Sequence, residues 1–432
     1  MDCLSSCYSQ IRVQSKHFLI AGAGIAGLSQ ALALCRSGHR VQVLEQSAHL
    51  QAVGAGIQLG PNALRRLDQL GLLPALESSG SQLNAVAIRS LPSGQLIKQL
   101  DLRSIKKRYG YPMLCIHRAA LQQVLLNACL GETQFSLLTN HKLDSVKNTT
   151  TGVEVKTKSS GSDAWPSNVP NVESPNIAQL FKADALIAAD GLWSSTRQQL
   201  IGDGPPNPTG KIAFRALISW ADLAYDGYPE GLADQTGLWL GANAHIVHYP
   251  VGNSGLTKDS AAQLNMIVMM RGNLRVDHWQ HESTKALLIQ QLKLAHPQAL
   301  APAINKLLDS IQTCSSWTLF DRPVISQWHD GNICLTGDAA HPMQAHLAQG
   351  ASMAIEDALA MSDALNSSAT IPVAFAKFND QRLGRTSLAM RKARQYGDIY
   401  QANWPISVAR DWFLKSPLSS WNAAGMDWLY RG

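Results

Sequence analysis

Short apolar runs punctuate the chain and read as strands: His17 to Ile20, Val41 to Leu44, the run that opens at Ala185, and the run that opens at Ile333. A second set, Lys211 to Ser219, Leu238 to Leu240, His245 to Pro250 and Leu264 to Met270, is separated by Gly, Asn and Asp turns and predicts one sheet. Val86 to Arg89 and Gln95 to Leu100 are candidates to join it. Helical spacing appears from Leu28 to Ser37, ended by Gly38, and over Val373 to Gln401, where Arg382, Arg385, Arg391, Lys392 and Arg394 decorate a long C-terminal helix. Ser159 to Gln179 is rich in Ser, Pro and Asn and predicts an exposed hairpin insertion, with a similar loop at Gly252 to Gln263. No internal repeat is visible.

Three of the strands end in chemistry. After His17 to Ile20 come Gly22, Gly24 and Gly27, then the helix, then Val41 to Leu44 closed by Glu45, 23 residues after Gly22. This is a dinucleotide fingerprint: Gly22 permits the tight turn, Gly24 lets a pyrophosphate approach the backbone, and Gly27 lets helix pack on strand. Glu45 would accept hydrogen bonds from ribose hydroxyls, which favours FAD or NAD over NADP. After Ala185 come Asp190 and Gly191, then Ser194 and Arg197 at helical spacing. After Ile333 come Gly337-Asp338, His341 and His346, and Gly350 opening a helix. An aspartate at a strand end can hold a sugar-like hydroxyl, and a helix N-terminus offers unpaired N–H groups to a developing anion. A reduced flavin has both needs.

In these ordered segments the chain resembles the FAD-dependent aromatic hydroxylases of the para-hydroxybenzoate hydroxylase superfamily, in their salicylate hydroxylase-like branch. Further patterns carry the likeness: Gly54 to Ala63, Ile116-His117-Arg118 with Leu121, Trp317 to Pro323, and Asp427 to Tyr430. The resemblance runs from about His17 to the C-terminus. It implies an α/β fold with a Rossmann-like FAD-binding lobe, a β-sheet substrate lobe and a C-terminal helical segment. It also implies an NADH- or NADPH-dependent flavin monooxygenase that hydroxylates a small aromatic acid of salicylate, hydroxybenzoate or hydroxynicotinate type through a flavin hydroperoxide, with dioxygen as co-substrate. The alternatives are a hydroxylase or epoxidase of a larger quinone- or terpenoid-like ring, and a non-catalytic flavin-binding protein. The motif positions divide the chain into an N-terminal extension (1–16), an FAD-binding lobe in three pieces (17–78, 115–208 with the insertion at 159–179, and 318–372), a substrate lobe in two (79–114 and 209–317), and C-terminal helices (373–432).

The resemblance also assigns residues. Asp338 would hold the ribityl or pyrophosphate part of FAD, and Arg118 would contact FAD with Gln122 one turn on as helper. Gly56 joins the cofactor contacts, and the backbone at Gly350 and Ala351 would stabilise the reduced flavin. Asp190 is either a cofactor contact or a structural acid bonding loop amides, with Arg197 as its simplest partner. On a strand, His245 and Tyr249 share a face with Val247 between them, and His248 points away. His245 is read as catalytic base or phenol hydrogen-bonder with Tyr249 beside it, against a packing histidine. His346 is the second candidate, because many relatives carry a proline at Ala345 and an aromatic at His346. His341 reads as structural. Arg215 either pairs with a substrate carboxylate or is a surface strand arginine.

Composition narrows the rest. An apolar fraction of 45% and a charged fraction of 16% belong to a globular chain. No apolar run nears the ~20 residues of a membrane span. Seven scattered cysteines without a Cys-x-x-Cys pair argue against a disulfide framework or zinc site. With an N-terminus lacking a signal-peptide core, they suggest a reducing cytoplasm. A net charge of +6, dispersed, suits an anionic cofactor and is no nucleic-acid footprint. Lys106-Lys107-Arg108 reads as a solvated turn, and Trp317 and Trp328 as core. Trp421, Trp428 and Tyr430 either pack the terminal segment onto the body or form the contact of a homodimer.

Overall fold

The computed structural model describes residues 15–50, 56–159, 178–223, 231–252, 263–273, 281–416, 419 and 422–431. The extension up to residue 14 with Cys3 and Cys7, Gly54 and Ala55, most of the predicted insertion (160–177), the loop at 253–262, and Trp421 lie outside the described residues.

One sheet orders its strands His329–Asp330, Ile333–Leu335, Ala185–Ala188, His17–Ala21, Arg40–Leu44, Phe135–Leu138. All neighbours run parallel except the short edge strand His329–Asp330. His17–Ala21 therefore has its successor on one side and Ala185–Ala188 on the other. Strand order reverses there, and such a switch point opens a crevice at the strands' carboxyl ends. The inner strands are apolar on both faces because both are covered, one by helices and the other by a three-stranded sheet of Lys142–Thr149, Gly152–Lys158 and Gln179–Ala183. Helix Ile25–Arg36 is buried over almost its whole length, between helices Arg118–Leu130 and Gly350–Asn366.

A second sheet has eight strands, in the order His281–Ser283, Cys314–Asp321, Asn207–Ser219, Gln263–Arg271, Ala244–Val251, Gln235–Leu240, Ala85–Ser90, Leu96–Asp101. Its neighbours are antiparallel except for Gln235–Leu240 beside Ala85–Ser90. Period-two alternation gives it two apolar faces. Ile212, Phe214, Ala244, Ile246, Met266 and Val268 form one core with helices Lys285–Ala295 and Pro302–Asp309. Ala213, Tyr249, Ile267 and Met269 face the other way, against Met353 and Tyr430. A small antiparallel sheet, Gly56–Leu59 with Met113–His117 and Gly80–Leu83, bridges the lobes.

The long helix, Ile371–Tyr400, crosses both lobes. Lys106, Lys107 and Arg108 do not form a turn. They end helix Leu102–Tyr109, where cations face the helix's partial negative charge, and Arg108 pairs with Asp427 at 2.6 Å. Trp328 is core, and Tyr430 is buried edge-on to Tyr109, fixing the C-terminal segment to the body.

Candidate active site

The acidic and glycine positions picked out by sequence converge on the crevice. Gly22 follows strand His17–Ala21, Glu45 follows Arg40–Leu44, Asp190 lies two residues beyond Ala185–Ala188, and Asp338 lies three beyond Ile333–Leu335. Gly22 adopts φ +98°, and a β-carbon there would lie 2.6 Å from the Ala189 carbonyl oxygen. At Gly27 a β-carbon would lie 1.8 Å from the Gly22 carbonyl oxygen, so only glycine permits this helix–turn contact. A β-carbon on Gly24 would meet nothing within 4 Å, so this turn faces open space. Glu45 Oε2 accepts from Ala23 N at 2.7 Å, and Gln122 Nε2 donates to Ala23 O at 2.7 Å. Both side chains thus brace the glycine turn.

Asp338 and Arg118 supply charge. The Asp338 side chain is exposed, yet protein surrounds it so closely that burial pushes its carboxyl above the ordinary range, against the pull of His341 and Arg118. A carboxylate on the floor of a cleft combines these properties. Arg118 opens helix Arg118–Leu130, is exposed, and has no hydrogen-bond or ion-pair partner among the described residues. Gly350 and Ala351 start helix Gly350–Asn366, whose N-cap Gln349 provides no side-chain cap and whose first turn holds no acid. The Asp338 carboxylate would lie 3.7 Å from a β-carbon on Gly350. A bare helix N-terminus, an open glycine turn, a free guanidinium and a cleft-floor carboxylate form a donor set that fits a long phosphate- and hydroxyl-bearing cofactor.

Asp190 is different. Its carboxylate accepts from Ser194 Oγ at 2.6 Å, Thr196 Oγ1 at 3.0 Å and Thr196 N at 3.2 Å, which makes it a structural acid at a helix start. Arg197 does not pair with it. Arg197 reaches Asp203 at 2.6 Å and the carbonyls of Ala339, Ala340 and Pro323, tying this loop to the Asp338 segment.

The inward face of the large sheet carries the second half of the site. In register, Ala213, Met269 and His245 form one row, and Arg215, Ile267 and Val247 the next. Leu217, Asn265 and Tyr249 form the third. His248 is on the opposite face beside Trp239, and burial lowers its pKa to about 3. The Tyr249 hydroxyl donates to Gly56 O at 2.7 Å, and Asn265 Oδ1 accepts from Gly56 N at 3.3 Å. Gly56 must be glycine here, because a β-carbon would lie 2.7 Å from the Tyr249 ring. The Tyr249 hydroxyl proton is thus committed to the backbone.

Arg215 lies over the Trp317 ring, 4.6 Å from its centroid, and is half-buried with its Nε unpaired. Burial lowers its pKa, with Tyr249 opposing and Arg118 assisting, and among the described residues it has no carboxylate partner. His245 is fully buried with Nε2 unpaired, and its ring is 5.2 Å from that of His346 and 5.4 Å from that of Tyr400. His346 is buried, and both its ring nitrogens are unpaired among the described residues. Burial, the facing histidine and Lys211 hold His245 well below the ordinary histidine range, and burial with Lys211 lowers His346 to about 4. Both rings are neutral near pH 7.

His341 donates to the Asp357 carboxylate at 2.6 Å in a buried network with Arg382 and Glu356 and serves structure. Sequence reading missed two residues of this neighbourhood. Asn265, a polar residue inside the apolar run LNMIVMM, carried a signal. Gln401, whose Nε2 is 3.1 Å from His245 Nδ1, carried none.

The chain is similar to known proteins along nearly its whole length. A family model described as FAD binding domain matches residues 16–370. The chain is 30% identical over 417 residues to 3-hydroxybenzoate 6-hydroxylase of Polaromonas naphthalenivorans (strain CJ2), covering 95% of each chain. It is 31% identical over 417 residues to 3-hydroxybenzoate 6-hydroxylase 1 of Aquipseudomonas alcaligenes, covering 96% of this chain and 97% of the relative. Among solved structures, a salicylate hydroxylase substrate complex superposes with a TM-score of 0.75 at 22% identity, covering 97% of this chain and 96% of that one.

Proposed function

The chain belongs to the FAD binding domain family, and from that membership we propose that it is an NADH- or NADPH-dependent monooxygenase that hydroxylates a small aromatic acid bearing a ring hydroxyl. FAD is its cofactor. The chemistry FAD supplies when bound is hydride uptake from the nicotinamide and activation of dioxygen. The turn at Gly22, Gly24 and Gly27, with Glu45 and Gln122, would hold the adenosine and pyrophosphate. Arg118 and Asp338 would hold the phosphate and ribityl groups, and the N–H groups of Gly350 and Ala351 the pyrimidine edge.

One observation carries the substrate assignment. A half-buried guanidinium, Arg215, shares a sheet face with a buried histidine, His245, and among the described residues the first has no carboxylate and the Nε2 of the second has no partner. Two strands at ~4.8 Å spacing and two residues of rise separate their Cα atoms by roughly 12 Å. Inward side chains from both ends leave a span suited to one benzene ring with a carboxylate at one end and a hydroxyl at the other. A charge-assisted fork from Arg215 would fix the carboxylate, and His245 and His346, kept neutral, would meet the hydroxyl. Unpaired buried nitrogens cost about 1–3 kcal/mol each, and a hydroxyl between the rings would relieve part of that. The backbone hydrogen bonds of Gly56 to Tyr249 and Asn265 would brace the wall beside this space.

The test is a panel of hydroxybenzoates, salicylate and hydroxynicotinate against the yellow, FAD-loaded protein. Aromatic acids are expected to stimulate NADH or NADPH oxidation coupled to a hydroxylated product. If FAD is bound and no acid raises nicotinamide consumption, the assignment fails.

A further inference from the structure

The last turn of helix Ile371–Tyr400 does more than close the helix. Its C-cap residue, Gln401, is completely buried, and its amide Nε2 lies 3.1 Å from His245 Nδ1. The residue is anchored on both sides. Its carbonyl accepts from Asn243 N at 3.0 Å, at the turn that starts the His245 strand, and Asn403 Nδ2 donates to Asn243 Oδ1 at 3.0 Å. Arg410 Nη1 donates to the carbonyls of Ile399 and Tyr400, each at 3.1 Å, so a cation satisfies the helix end one residue before Gln401. A buried amide held this firmly against one imidazole nitrogen controls its tautomer, because an N–H donor requires a bare lone pair opposite.

We propose that Gln401 is a positioning residue: by donating to His245 Nδ1 it keeps the ring proton on Nε2, so that His245 meets the substrate's ring oxygen as a hydrogen-bond donor and not as its base. The proposal rests on the substrate reading above and deepens it, since a donor at this point favours binding the substrate as its phenolate. The surroundings agree. Around His245, the charged and titratable groups on the packed elements are Lys211 from strand Asn207–Ser219, one strand beyond its neighbour, His346 from the loop, and Tyr400 from the helix. Lys211 pairs with Asp398 at 2.8 Å. Among the described residues no carboxylate bonds the imidazole, so its orientation falls to a neutral amide.

The first measurement needs no substrate. Holoenzyme with ¹⁵N-labelled histidine is examined by NMR, with His245 assigned by the signal lost in His245→Asn. Wild-type protein is expected to show a protonated Nε2 and a bare, hydrogen-bonded Nδ1. Gln401→Leu and Gln401→Met should release a mixture of tautomers while retaining FAD absorbance. Gln401→Glu should draw the proton to Nδ1. A wild-type ring protonated on Nδ1, as the opposite amide orientation would impose, overturns the proposal, as does an unchanged tautomer in both apolar variants. The second measurement follows ionisation of bound 3-hydroxybenzoate by ultraviolet difference spectroscopy against pH. Its apparent pKa is expected to rise by about 1–2 units in Gln401→Leu and Gln401→Glu relative to wild type. An equal pKa in all three proteins overturns the donor role. Failure of any aromatic acid to bind removes the substrate reading alone, because the tautomer is read without one.

Discussion

At the scale of single residues, unpaired charge is the informative quantity. Asp338 is a carboxylate in a crevice on which Arg118 and His341 act against burial among the described residues. Asp338→Ala should therefore give folded but largely colourless protein, checked by the ratio of flavin to protein absorbance after desalting. Full yellow occupancy would remove Asp338 from the cofactor assignment. Arg215 offers the complementary case. Charge-assisted hydrogen bonds contribute about 1.5–3 kcal/mol, so Arg215→Ala should raise the KM for an aromatic acid by roughly 10- to 150-fold. The same variant should leave KM for the matching neutral phenol nearly unchanged. Equal weakening of both would show that Arg215 packs against Trp317 without reading the carboxylate.

At the scale of elements, the long helix Ile371–Tyr400 organises the site through close packing and buried ion pairs. Gly397 permits His346 to lie against the helix, since a β-carbon there would be 2.6 Å from the His346 ring. Gly397→Val should displace that ring and lower coupled turnover while FAD stays bound, which steady-state kinetics with peroxide detection would reveal. About four turns upstream, Arg382 is bonded to Asp357 and Glu356, each at 2.7 Å, and all three are buried. Although burial opposes it, His341 and Arg382 hold the Asp357 carboxyl well below the usual range. Arg382→Met leaves charge uncompensated in a dry interior and should destabilise the fold by about 3–5 kcal/mol, seen as a lower urea midpoint. Motif geometry was legible in the sequence at this scale. Strand His17–Ala21, its glycine turn and helix Ile25–Arg36 follow from local spacing alone. The partner of Arg197 was not, because Asp203 and Asp190 are both nearby in sequence and only the loop path selects between them.

At the scale of the whole molecule, pH reports on the buried histidines. His245, His248 and His346 all have pKa values lowered by burial, the last two to about 3 and about 4. Between these values and the ordinary value of 6.5, the unfolded chain binds protons that the folded chain refuses, so stability falls as pH drops through that window. His248 and His346 should each cost about 2 kcal/mol at pH 5 relative to pH 7, and His245 acts in the same direction. Urea midpoints at the two pH values check this, and His346→Phe should flatten the dependence. A midpoint that rises on acidification would contradict the neutral burial of these rings. The large-scale division between sequence and structure has a physical basis. Sequence determined what depends on near neighbours: the glycine turn at Gly22 to Gly27, the acid at each strand end, and the alternation that puts His245 and Tyr249 on one face and His248 on the other. Tertiary structure alone decided what depends on chain segments far apart: the joining of Gln401 to His245, Gly397 to His346, Arg215 to Trp317, and Tyr249 to Gly56. Local periodicity encodes which way a side chain points; which distant group it meets is set only when the two lobes and the long helix close around one crevice.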